Sequence, residues 1–171
     1  RSYLDVYARN GLLNSRSVLA HGIWLDDEDR AVLRATGAQI AHSPSSNLFL
    51  GSGLFDWRAA EAAGAAVSTA SDVGAGTSLS MLRTLADAYK VQAMAHQRLT
   101  AWKALHAATR GAARALSLEH EIGSLEAGRV ADLCVWDWAA GPVAARRMEV
   151  ARGLHEKVFA WLTLGDERCL V

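Results

Sequence analysis

Three side chains with metal or proton chemistry stand where an apolar run gives way to a loop: His21 in "VLAHG", His42 in "AHSPSSN" and Asp72 in "STASDVGAGTS". Imidazole and carboxylate are the usual nitrogen and oxygen ligands of a zinc or iron ion that activates water. A carboxylate beside such a water can also take its proton. The residue types leave other roles open. A histidine at a strand end is commonly a satisfied structural residue. Asp72, ahead of a glycine-rich turn, also has the chemistry of a helix cap or an Asx-turn. Gly74 and Gly76 follow it without forming GxGxxG or GxxxxGK[ST], so the loop reads as shaping a pocket rather than cradling a phosphate.

What must position these residues is a repeated strand, turn and helix. "YLDVYAR" carries apolar positions at helical spacing and meets Asn10-Gly11 as a stop. "SVLAHG" then reads as a strand, and "LDDEDRAVLRATG" as a helix with an acidic first turn and Gly37 as its end. The order recurs with the strand "AQIAHSP", the loop "SSNLFLGSG" and the helix "DWRAAEAAG". It recurs again with the strand "AAVSTASD", the loop "VGAGTS" and the long helix "SMLRTLADAYKVQAMAH". Near-continuous apolar strands separated by helices predict parallel βα units. "TAWKALHAATRGAARALSL" reads as two short helices broken near Gly111. "IGSLEAGRVADLCVWDW" reads as a hairpin turning at Ala127-Gly128 in a separate small β domain, and "MEVARGLHEKVFAWLTLG" as one last helix.

With 51% apolar residues, six Trp and only two Pro in 171 residues, the chain can bury a substantial core. Eighteen Lys and Arg balance eighteen Asp and Glu, and no basic run breaks the balance. That argues against nucleic acid as a partner and for small molecules or proteins. Cys134 and Cys169 lack C-x-x-C spacing and are expected to be packed thiols. No apolar run approaches the roughly 18 residues of a membrane span, and no signal-peptide order is found, so the cytoplasm is the expected location and no membrane partner is expected. The chain opens on Arg1 and stops in "ERCLV", which reads as the start of a strand, so part of a longer protein is expected.

The ordered set "VLAHG", "AHSPSSNLFLGSG", "SDVGAGTSLSMLRT" and "IGSLEAGRVADLCVWD" resembles the C-terminal half of the metal-dependent amidohydrolase superfamily. "NLFLGSGLF", "DVGAGTSLSML" and the terminal "LGDER" resemble its guanine deaminase branch more than the S-adenosylhomocysteine deaminases or chlorohydrolases. The resemblance implies an α/β fold: strands six to eight of a (β/α)8 TIM-type barrel in residues 1–118, and part of a small β-sandwich. Residues 119–145 would form the hairpin of that β domain, and 146–171 a terminal helix with the start of a last strand. The implied activity is hydrolytic deamination of a purine, guanine, to xanthine and ammonia by the longer chain. One divalent metal ion, zinc or iron, and a homodimer are implied with it. Deamination or dechlorination of another heterocycle, and a non-catalytic fragment whose helices serve assembly, are the alternatives.

By the same resemblance Asp72 is the metal ligand and proton shuttle, and His21 orients or polarises the water or the developing intermediate. Ser45 and Asn47 fall in the loop after strand seven that shapes the substrate pocket, unless they are turn residues satisfying their own backbone; His42 is structural. The superfamily's H-x-H pair, its third metal histidine, its acid glutamate and the purine-recognising residues would lie before Arg1, in the missing N-terminal half of the barrel. Ala70-Ser71 stand where the superfamily usually has Gly followed by Thr or Ser. With one ligand, the chain alone is expected to bind metal poorly and to be inactive, and its sheet to have two open edges.

Overall fold

Short apolar runs punctuated by glycine and helix-capping residues define the elements. The computed structural model describes residues 2–171. Helix α1 (Tyr3–Arg9) starts behind Ser2, whose hydroxyl accepts the Asp5 N–H at 3.1 Å. Strand β1 (Val18–Ala20) leads to α2 (Asp27–Thr36), which begins in a reciprocal capping box between Asp26 and Asp29 and ends on left-handed Gly37. Strand β2 (Gln39–His42) is followed by α3 (Pro44–Phe49) and α4 (Trp57–Ala62). Strand β3 (Val67–Thr69) is followed by α5 (Met81–Met94), α6 (Ala101–Ala108) and α7 (Arg110–Ala115).

The three strands form one parallel sheet in the order β1-β2-β3, the arrangement the repeated strand and helix pattern predicts. Leu19 pairs with Ile40, Ile40 with Val67, and His42 with Thr69. Just past the strands, the His21 N–H donates to the Ala41 carbonyl and the Ala70 N–H to the His42 carbonyl, both at 2.9 Å. The register therefore releases all three chains at one end of the sheet. Leu33, Ile40, Phe55, Leu85 and Leu162 are buried in the core behind it. Burial of each such side chain stabilises the fold by about 1.5–3 kcal/mol.

The segment "SSNLFLGSG", expected to be a loop throughout, begins as helix α3. Serine and asparagine are weak helix formers, but Pro44 at the first position needs no N–H partner, and the buried faces of Ser45, Ser46 and Asn47 give the turn tertiary support. The break between α6 and α7 falls at Thr109. Gly111 passes so close that a Cβ would stand 2.8 Å from the His106 carbonyl.

The tail differs from the expected hairpin. A turn forms at Glu126–Arg129 and the Val130 N–H reaches the Glu121 carbonyl at 2.8 Å, but no strand ladder is present in this segment among the described residues. An isolated two-stranded ribbon is marginal in water, and Leu125, Leu133 and Val135 are exposed with nothing packed on them. The second run pairs instead with the C-terminus: Trp136 bridges Leu170, and the Asp137 N–H donates to the Cys169 carbonyl at 2.8 Å. Trp136 and Trp138 both pack on Trp161. The single terminal helix is two, α8 (Pro142–Val150) and α9 (Leu154–Leu164), divided at Arg152-Gly153. "ERC" is a 3-10 turn rather than a strand. Asp166 in this turn accepts from Arg168 at 2.7 Å and from Arg83 of α5 at 3.2 Å, and the Arg168 hydrogen bonds hold its carboxyl down at about 2. Cys169 is buried as expected, whereas Cys134 is exposed. No helix of the described residues is long and apolar enough to cross a membrane.

Candidate functional site

β1 ends at Ala20, and the next two residues adopt left-handed backbone, His21 at φ 70° and Gly22 at φ 66°. Asp72, just past β3, is left-handed as well at φ 49°. Only four described non-glycine residues have positive φ, and two of them are the candidate catalytic pair. Such backbone costs on the order of 1 kcal/mol or more and persists where surrounding structure enforces it. For Asp72 the enforcing contact is the Gly76 N–H, which donates to the Asp72 carbonyl at 2.6 Å. A Cβ on Gly76 would run into the Ser71 carbonyl and stand 2.8 Å from the Asp72 carbonyl. Gly76 is thus a position whose bare backbone sets how Asp72 is presented.

These two turns bring the side chains together. His21 Nε2 is 3.8 Å from Asp72 Oδ2, and the two side chains are 43% and 38% exposed, open enough to meet a small molecule. Among the described residues the Asp72 carboxylate accepts no hydrogen bond from the protein. Helix α5 is preceded by Ser80, without a side-chain cap, so the helix-cap and Asx-turn roles for Asp72 are not realised. His21 Nδ1 is engaged on its other side by Asn47 Oδ1 at 2.8 Å. Ser45 donates to Asp87 Oδ2 on α5 at 2.8 Å, and Lys90 completes the group at 3.0 Å from Asp87. Ser45 and Asn47 are both buried on α3, and their side chains bond to other elements rather than to their own backbone. An open groove of about 530 Å³, lined mainly by apolar side chains such as Leu19, Trp24 and Leu50, is bordered by His21 and Asn47.

His42 lies apart from this pair. Its ring is fully buried, stacked on Phe55 at 4.7 Å and edge-on to Trp57 at 5.7 Å, and neither ring nitrogen has a partner. Burial, reinforced by repulsion from His21, pushes its pKa down to about 3, so it is a neutral core residue. Asp87 was not singled out by sequence, because an acidic residue three positions before Lys90 on a helix has the pattern of an ordinary surface ion pair. Gly76 carried a signal only as one glycine of a loop.

Whether these residues suit a metal ion follows from their donors. Asp72 offers a carboxylate free of protein hydrogen bonds at the mouth of a strand, which suits one corner of a nitrogen and oxygen site. Among the described residues no group of three or more His, Cys, Asp or Glu side chains could hold an ion by itself.

Residues 1–160 match the family model described as "Amidohydrolase family". The chain is 40% identical over 168 residues to guanine deaminase of Escherichia coli (strain K12), covering 98% of this chain and 38% of that protein. A solved structure of E. coli guanine deaminase superposes with a TM-score of 0.96, covering 98% of this chain and 39% of that one. The chain is 40% identical over 138 residues to a 5-methylthioadenosine/S-adenosylhomocysteine deaminase of Bacillus cereus, covering 78% of this chain and 32% of that protein. An adenosine deaminase from Xanthomonas campestris, solved with bound zinc, superposes with a TM-score of 0.81 at 28% identity, covering 98% of this chain and 37% of that one. The chain therefore spans about two fifths of the length of the relatives it matches.

Proposed function

This chain belongs to the amidohydrolase family, and from that premise we propose that it supplies strands six to eight of a (β/α)8 barrel whose whole protein hydrolyses guanine to xanthine and ammonia. Residues 119–171 would then be the chain's share of the small β-sandwich and the closing helices. The observation that carries the proposal is the opposition of His21 Nε2 and Asp72 Oδ2 across 3.8 Å at the shared end of the sheet. Active sites of β/α barrels are built at that end of the strands. Support for guanine comes from 40% identity to the E. coli guanine deaminase along almost the whole chain.

Asp72 would hold a divalent ion, zinc in the first instance and iron in the second, with the remaining ligands supplied by the rest of the protein. When bound, such an ion brings the pKa of a water near neutrality. The Asp72 carboxylate, free of protein hydrogen bonds, takes the proton of the attacking water and keeps it at the reacting centre. His21 Nε2, on the other side of the same gap, fixes the water's orientation. The new bond is carbon to oxygen at the ring carbon that bears the amino group. The bond that breaks is carbon to nitrogen, and the proton held on Asp72 leaves with ammonia. A homodimer in the cytoplasm is proposed on the resemblance alone.

The test is ammonia release in the full-length protein. Asp72→Ala is expected to abolish turnover of guanine and to lower the bound metal content, and unchanged turnover refutes the assignment. A second reading, deamination of 5′-methylthioadenosine or S-adenosylhomocysteine, is favoured by the 40% identity to the B. cereus enzyme over 138 residues. Turnover of those nucleosides in preference to guanine by the wild type would select it.

A further inference from the structure

Neutral imidazole carries its proton on either nitrogen, and the ring by itself does not choose. At His21 the choice matters, because only Nε2 faces Asp72. Asn47 makes the choice from the other side. Its side chain is buried on α3, and its Oδ1 stands 2.8 Å from His21 Nδ1. An amide oxygen only accepts, so the proton of neutral His21 resides on Nδ1 and the lone pair on Nε2. At 3.8 Å from Asp72 Oδ2, Nε2 is beyond direct hydrogen-bond range, and the two acceptors together face whatever donor enters between them.

Two further observations bear on how Asn47 is held beside His21. Its Nδ2 is buried without a partner. The contact with His21 is therefore the one side-chain hydrogen bond that Asn47 makes among the described residues, and its loss would leave the whole buried amide unsatisfied, at a cost of about 1–3 kcal/mol per group. The helix that carries it is pinned at its start by the Ser45 hydroxyl on Asp87, and Asp87 in turn holds Lys90. We infer that Asn47 is a positioning residue that fixes His21 as its Nδ1–H tautomer, so that Nε2 and Asp72 form a paired acceptor for the attacking water and the departing ammonia. The second half of this inference rests on the function proposed above; the tautomer itself does not.

Histidine-selective ¹⁵N labelling of the full-length protein, with the His21 signals identified by their loss in His21→Gln, reads the tautomer at alkaline pH. The expected result is a pyrrole-type shift on Nδ1 and a pyridine-type shift on Nε2. In Asn47→Leu the proton is expected to distribute over both nitrogens. The kcat for guanine should then fall about 10–100-fold with KM little changed, the size seen when the partner of a functional histidine is removed. Asn47→Asp, which keeps an acceptor at the same place, should retain the Nδ1–H tautomer, and it decides the matter if the leucine variant does not fold. An Nε2–H tautomer in the wild type, or an Asn47→Leu protein with unchanged tautomer and kcat, would overturn the inference. A wild type that releases no ammonia from guanine would instead defeat the functional proposal and leave the tautomer result standing.

Discussion

His21 and His42 sit at the same end of neighbouring strands, and everything else about them differs. His21 is half-exposed, with Asn47 on one ring nitrogen and Asp72 opposite the other. His42 is fully enclosed by Phe55 and Trp57 with both nitrogens bare. The cause lies in how each strand is left. β1 exits through two left-handed residues, His21 and Gly22, which swing the imidazole out over the groove. β2 keeps His42 in strand geometry, paired with Thr69, and runs directly into Pro44 of α3, so the ring stays under the aromatic layer. Two identical side chains thus acquire different surroundings from how their strands are left, one turned out toward the groove and one buried as packing.

The sharpest way to break this contrast is to remove each ring in the full-length protein. His21→Ala is expected to lower kcat about 100-fold, the size of loss when a reacting group is misplaced by about 1 Å, while most of the metal stays bound. His42→Leu, close in volume, should change stability by less than about 1.5 kcal/mol and leave kcat near the wild type. Equal losses in the two variants would show that strand exit does not separate the roles, and loss of all metal in His21→Ala would make His21 a ligand. Next in size is Gly76→Ala. The added methyl collides with the Ser71 and Asp72 carbonyls, and a carboxylate displaced by about 1 Å costs about 100-fold in rate. Because the clash is with backbone at a buried position, the melting temperature should fall as well, and the rate is to be read on the folded protein. Wild-type activity in Gly76→Ala would mean that the left-handed turn is not what presents Asp72.

Much of the scaffold behind this contrast was legible in the residues. Runs such as "SVLA", "AQIAH" and "AAVST" lie between glycine stops, and they become β1, β2 and β3 in one parallel sheet. Placing His21 and Asp72 at strand ends followed from that, but their pairing did not, since it depends on two positive-φ residues, and the enrichment of His and Asp in that region is too weak to mark these two positions. Ser45 and Asn47 lie in a run of weak helix formers, and their helix exists because tertiary contacts reward it. Asp87 was not legible as part of this group, because its bond to Ser45 reaches 42 residues back along the chain. The hairpin failed for the complementary reason: alternating apolar residues make a strand only where a partner covers them. Here only Trp136 and Trp138 found cover, on Trp161 and the C-terminal residues.

The finest test of the contrast is the pH dependence of stability that His42 alone should contribute. Its folded pKa lies near 3 because burial, and then His21, disfavour the charged ring. In the unfolded chain the same ring titrates near about 6.5. Between those values the unfolded state binds the proton and the folded state does not, so stability is fully present above the unfolded value and declines as pH falls. From about pH 7 to about pH 5 the loss assigned to this one residue is about 2 kcal/mol, and it depends little on where below pH 4 the folded value lies. Denaturation of wild type and His42→Leu at both pH values isolates it, because the other histidines are common to the two proteins. The variant should lose less stability on acidification by that amount. Identical acid slopes would mean that His42 finds a proton partner in the full protein, and the contrast with His21 would then lie in exposure alone.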